Sequence, residues 1–139
     1  TVVSHRNQCK FCATAHTAAA NVLLGENETS QKVKENINTA PVSEKMKALL
    51  IIAAQVQESG KAVTVGSIQK AKDEGATDIV IHDTVLIAAL FCLYNRYVDG
   101  LATVTPTQPE FYEGLGQRLK DHGYNRLTHG YDHLKKQTE

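Results

Sequence analysis

The chain is short of cysteine, has no excess of charge of either sign and carries no long uninterrupted hydrophobic run. Each shortage removes a class of protein. Three cysteines in 139 residues are too few for a disulfide-stapled secreted scaffold. Fifteen basic residues balance fifteen acidic ones with no dense basic run, so there is no electrostatic case for binding nucleic acid or anionic lipid. Charge interrupts the longest apolar stretches within a turn or two, which argues against a membrane span. No secretory signal, internal repeat, low-complexity tract or dividing linker is visible. What is present, 42% hydrophobic and 22% charged residues, is the composition of one globular domain over residues 1–139, with the cytoplasm as the default compartment. The chain starts at Thr1 without Met and runs almost at once into a cysteine motif, which points to a missing natural N-terminal portion.

Helical periodicity dominates, and turn residues fall where helices should end. One helix is expected over residues 3–24, Ala-rich from 13 to 20 and stopped by Gly25. Ser30 can cap a short helix to residue 37. Pro41 and Ser43 introduce the next, whose Met46, Leu49, Leu50, Ala53 and Val56 follow one-face spacing until Gly60. Thr64 opens a short helix that Gly75 finishes. Thr77 and Asp78 offer caps for a long helix reaching Val98 or beyond. Its run 79–94 is apolar nearly all round, which predicts burial on more than one side. A helix from Pro109 to near Gly123 follows, and residues 125–139 suggest a last short one with a polar tail. The fold class is therefore all-α, with about six or seven helices.

The chemistry is concentrated in residues 7–16, NQCKFCATAH. A helix turns about 100° and rises about 1.5 Å per residue, so Cys9, Cys12 and His16 fall within an arc of roughly 60°. Cys9 and Cys12 have the spacing of a redox pair. His16 lies one turn beyond Cys12, where it could take a thiol proton and produce the reactive thiolate. A closed structural zinc site is the competing use. It needs a fourth ligand, from His82, His122, His129 or His133. Two buried core cysteines are the other. Haem attachment is excluded because Ala13, not His, follows Cys12, and no βαβ pattern surrounds the motif as a thioredoxin fold would require.

These residues resemble those of the AhpD-like, carboxymuconolactone decarboxylase superfamily, in its peroxidase-related branch. The Cys9-to-His16 motif carries the resemblance first. The segments GATD at 75–78, YNRYVDG at 94–100 and GQRLKDHGY at 116–124 extend it over most of the chain. The resemblance implies an AhpD-like all-α domain assembling as a dimer, trimer or hexamer, with alkyl hydroperoxide reductase activity. It implies Cys12 as the peroxidatic thiol, Cys9 as the resolving one and His16 as the proton relay. It implies no cofactor, a small-molecule peroxide as substrate and a thiol, lipoyl or thioredoxin-like reductant as partner. Two positions depart from the pattern: Phe11 stands where AhpD has His, and the Glu twelve residues before the first cysteine would precede Thr1. Two other readings stay open. One is a lactone enzyme like carboxymuconolactone decarboxylase; the other is a non-enzymatic redox sensor or zinc protein.

Outside the motif, Cys92 lies in an apolar run and reads as a core thiol. Asn95 and Arg96 read as structural, with Arg96 expected to pair with Asp99 or Glu58. His129 and His133 have metal-ligand spacing beside Asp132 but read as a solvated face. His5, one turn before Cys9, could join the thiol site, and His82 could flank the long helix. The long apolar helix predicts self-association, because so short a chain cannot easily cover it alone.

Overall fold

A glutamine in the left-handed region ends the first helix sooner than expected. The computed structural model describes residues 1–125. The single helix expected over 3–24 is two: α1, Val2–Arg6, and α2, Lys10–Leu24. Between them Gln8 has φ 58, and Cys9 is extended (φ −74, ψ 98) as the N-cap of α2. Local propensity would continue the helix, and a non-glycine residue in this region costs roughly 1–2 kcal/mol. What holds the break is a chain of side-chain amides. Asn7 Nδ2 donates to Asn95 Oδ1 at 2.9 Å. Asn95 Nδ2 donates to Ser4 Oγ at 3.0 Å. Gln57 Nε2 donates to Asn7 Oδ1 at 2.9 Å, and Arg6 Nε donates to Gln57 Oε1 at 3.1 Å. Residues far apart in sequence thus clamp this corner, and continuing the helix would break the clamp.

The remaining helices are α3, Glu28–Glu35; α4, Glu44–Glu58; α5, Val65–Asp73; α6, Asp78–Gly100; and α7, Pro109–His122, with a 3₁₀ turn at Gly60–Ala62. No strand occurs among the described residues, so the all-α expectation holds. Several caps fall where the sequence placed them. Ser43, Thr64 and Thr77 each accept a backbone N–H from the first turn they precede. Gly25 (φ 74) and Gly75 (φ 83) sit at helix exits in the conformation glycine tolerates best. Ser30 does not cap α3. It lies inside that helix with its hydroxyl on Asn21, while the Glu26 carboxylate accepts the Glu28 and Thr29 N–H groups. The helix suggested after residue 125, with His129, Asp132 and His133, lies outside the described residues.

The main core forms where α4 meets α6, α5 and α1, around Ile52, Leu49, Ala53, Val56, Ile81 and Ala88. A smaller cluster joins Val2, Val33, Ala40 and Ala54. The helix α7 packs along α2, and the approach is close: a Cβ on Gly116 would stand 3.0 Å from the Ala18 backbone.

The expectation for α6 needs correction. It is buried along one stripe, through Ile81, Ala88 and Asn95, and not on several sides. Among the described residues only α4, α5 and the α1–α2 corner lie against it, and Ile79, Leu86, Ile87, Leu90, Leu93 and Tyr97 are exposed. By length and composition alone, α6 could cross a membrane, contrary to the expectation drawn from the charges that interrupt its apolar run.

Candidate functional site

The break after α1 decides the geometry of the cysteine motif. Cys9 stands at the N-cap and Cys12 at the third position of α2, so the three residues are not on one continuous helix as expected. The Cys9 N–H donates to the Ser4 carbonyl at 3.1 Å, and the Cys9 carbonyl accepts from Ala13 N–H at 2.9 Å, which ties both ends of the residue. Both cysteines are free thiols. They lie close together and buried, with Cys9 0% and Cys12 5% exposed.

Burial governs the Cys9 thiol and pushes it up to about 12. The Cys12 N–H at the start of α2 opposes this, while the Cys12 thiol and the Asp99 carboxylate add to it. Desolvation outweighs the helix terminus, and Cys9 is a protonated thiol at neutral pH. Asp99 is exposed on α6, one turn after Asn95, where the sequence suggests a salt-bridge partner for Arg96. That pairing is absent. Arg96 Nη1 instead donates to the Cys92 carbonyl at 2.8 Å, and it forms no ion pair with Asp99 or Glu58 among the described residues.

His16 shares a face of α2 with Cys12, being four residues on. No hydrogen bond joins the imidazole to either sulfur among the described residues. Its Nδ1 is 3.4 Å from the Tyr124 hydroxyl, and its ring meets Phe91 edge-on at 4.6 Å between centroids. Burial lowers His16 to about 4, so the ring is neutral at physiological pH. Phe91 and Tyr124 went unassigned in the sequence. Tyr124 closes one of the segments that carry the resemblance, but only the fold brings it to His16.

Two cavities flank α2. One, of about 780 Å³, has Cys9 in its wall together with His5, Lys10, Thr17, Pro106 and Tyr112. His5 thus borders the cysteine side, as the sequence suggested. The other, of about 450 Å³, is lined by His16, Phe91 and Tyr124. Phe11, where the AhpD pattern has His, lies 6.4 Å from the Tyr112 ring and so serves the packing of α7 on α2. Cys92 is half-buried against the main core and accepts a long contact, 3.7 Å, from Asn7 Nδ2. His82 pairs with Asp83 at the exposed start of α6. No group of three or more His, Cys, Asp or Glu able to hold a metal occurs among the described residues. Neither His82 nor His122 therefore completes a zinc site there.

Fold and site together define an all-α domain with a buried Cys-x-x-Cys pair at a helix N-terminus. Among solved structures, the chain is similar to an uncharacterized peroxidase-related protein from Silicibacter sp. TM1040. The TM-score is 0.72 and the sequence identity 25%, over 81% of this chain and 58% of that one. The chain thus spans less than two thirds of that relative's length. The likeness supports a peroxidase-related, AhpD-like fold. No protein-family model matches the chain, and no curated protein matches it.

Proposed function

We propose that this chain is a single AhpD-like domain of the carboxymuconolactone decarboxylase superfamily and acts as a thiol-dependent peroxidase. The observation that carries the reading is the closeness of Cys9 and Cys12 at the start of α2, with His16 one turn further on the Cys12 face. The Cys12 thiolate attacks the outer oxygen of a hydroperoxide. The O–O bond breaks, an alcohol leaves after taking a proton, and Cys12 becomes a sulfenic acid. The Cys9 thiol then condenses with it, forming a Cys9–Cys12 disulfide and releasing water. A dithiol of the lipoyl or thioredoxin-like class supplies two electrons and two protons to restore both thiols.

The buried Cys9 thiol supports this division of labour. A thiol held near 12 is a poor attacking group at neutral pH, since the thiolate is the nucleophile. This supports the roles that the resemblance implies, with Cys9 resolving and Cys12 peroxidatic. His16, neutral in its buried setting, takes the Cys12 thiol proton as the sulfur attacks and passes it to the departing alkoxide, which leaves as the alcohol. A reducing compartment such as the cytoplasm keeps the pair ready to react.

The exposed apolar stripe of α6 supports self-association, with a second copy covering Leu86, Leu90 and Leu93. Light scattering should give a mass above that of one chain, and a clean monomer at micromolar concentration would remove this part of the reading.

Turnover of cumene hydroperoxide with dihydrolipoamide as donor tests the chemistry. Cys12→Ser should abolish it. Cys9→Ser should stop it after one equivalent, leaving a sulfenic acid that dimedone traps. Undiminished turnover in Cys12→Ser would sink the reading.

A further inference from the structure

Cys92, Asn95 and Asp99 follow one another along α6 at intervals of three and four residues, which places them on one helix face. Cys92 and Asn95 both meet the Asn7 amide, at 3.7 and 2.9 Å, so this stripe runs along the segment that leads into α2. Asp99 lies one turn beyond Asn95, as Cys9 lies beyond Asn7, and its carboxylate is within hydrogen-bond reach of the Cys9 thiol. The end of α6 is closed just after it. Ala102 is in the left-handed region (φ 48), and its N–H donates to the Asp99 carbonyl at 3.0 Å, which holds the last turn in place.

The two partners differ in their access to water. Cys9 is 0% exposed, so its sulfur is closed off from solvent, whereas Asp99 is exposed. A thiol must lose its proton to attack, since the thiolate is the nucleophile. From a sealed sulfur that proton needs a carrier. The cavity that Cys9 borders has His5, Lys10, Lys34 and Glu113 in its wall. Of the ionisable side chains around Cys9, Cys12 and Asp99 are the ones that act on its thiol. Cys12 is the sulfur to be attacked, and Asp99 is the group that joins the thiol to solvent.

We propose that Asp99 is a catalytic residue of the resolving step, the base that takes the Cys9 proton and releases it to solvent. As the Cys9 sulfur attacks the Cys12 sulfur, the S–H bond breaks and the proton passes to the Asp99 carboxylate. The S–S bond forms while the group on Cys12 leaves with its bonding electron pair. When that group is the hydroxyl of a sulfenic acid, it takes up a proton in turn and departs as water. The assignment rests on the reading of Cys9 as the resolving thiol above.

The test uses the full 139-residue chain carrying Cys92→Ser, which leaves the two motif thiols and keeps an acceptor for Asn7. Dithionitrobenzoate forms a mixed disulfide with Cys12, and attack by Cys9 then displaces a second thionitrobenzoate. Its absorbance times the resolving step without any peroxide, and Cys9→Ser should release one equivalent only. With Asp99 in place the second release should change by less than about twofold per pH unit around neutrality. Asp99→Asn should slow it at least about tenfold at neutral pH and make it climb about tenfold per pH unit, as attack through free hydroxide does. Asp99→Glu should restore the shallow profile. A carboxylate that only repels the thiolate gives the opposite sign: faster release at neutral pH in Asp99→Asn overturns the proposal. So does an unchanged rate and slope, or a shallow profile that survives Asp99→Asn and is lost in His5→Gln. Hydroperoxide turnover by the unsubstituted chain alongside any of these results overturns this proposal alone. The expected Asp99 dependence in a chain that turns over no hydroperoxide overturns the peroxidase reading and leaves Asp99 standing as the base for Cys9 in disulfide exchange.

Discussion

Asn7 and Asn95 are hydrogen-bonded at 2.9 Å across 88 positions of sequence, and this contact sets where α2, the helix of the cysteine motif, begins. Asn95 is 1% exposed and uses its amide oxygen on Asn7 and its nitrogen on Ser4. The Ser4 carbonyl in turn holds the Cys9 N–H. The position of the first sulfur is thus fixed by a polar core contact on another helix.

Asn95→Ala removes this clamp and leaves the Ser4 hydroxyl and one Asn7 amide donor short of a partner. A loss of about 1–3 kcal/mol is expected, read by urea unfolding. Cys9 should also become more accessible, so that alkylation of the folded protein by iodoacetamide speeds up. Unchanged stability together with unchanged alkylation would show that the corner is held by something else.

The two shifted groups of the site predict opposite limbs in the pH dependence of stability. The unfolded imidazole titrates near its ordinary 6.5, while folded His16 titrates near 4. Between these values the unfolded chain binds more protons, so stability falls as pH drops from 6.5 toward 4, by on the order of 3 kcal/mol at most. Cys9 is raised from its ordinary 9.0 to about 12. Above pH 9 the unfolded thiol ionises first, and stability falls as pH rises toward 12. Unfolding curves across the range check both limbs. His16→Gln should flatten the acid limb and Cys9→Ser the alkaline one.

Asp99→Asn should lower the Cys9 pKa, because an amide does not repel the thiolate and can donate to it. Burial is the first cause of the shift, so the value should stay above that of an ordinary thiol. Comparing thiolate absorbance against pH in Cys12→Ser with and without Asp99→Asn measures the difference. A titration unchanged by the substitution would remove Asp99 from the site.

Two glycines of α7 should respond oppositely to alanine. At Gly116 the new Cβ would stand 3.0 Å from the backbone carbon and oxygen of Ala18 and 3.2 Å from Val22. Separating α7 from α2 should cost about 1–3 kcal/mol, more than helix propensity returns. Nothing lies within 4 Å of a Cβ at Gly114, so Gly114→Ala should stabilise by roughly 0.5–1 kcal/mol. Thermal melts of the two variants check the contrast, and equal shifts would contradict the close α2–α7 approach.

Much of the helix order was legible because it rests on neighbours in the chain. Ser43, Thr64 and Thr77 cap the turn that follows them, and Gly25 and Gly75 close the helices before them. These choices depend on backbone groups a few residues away, so composition and spacing suffice to read them. The cysteine spacing was readable for the same reason.

The geometry at the site was decided by contacts that no local pattern contains. The stretch 7–9 would favour a continued helix, yet side chains from α4 and α6 hold it open at Gln8. The apolar run of α6 suggested burial on several sides, but how much of it is covered depends on which helices come to lie alongside. The environment of His16 is set by Phe91 and by Tyr124, which is 108 positions away. One residue's side chain can be buried, neutralised or redirected by partners anywhere in the chain. The sequence alone determined most helix boundaries and the spacing of the cysteines and His16; only tertiary packing determined the break at Gln8, the protonation of Cys9, the neutral His16 and the two unlike cavities beside them.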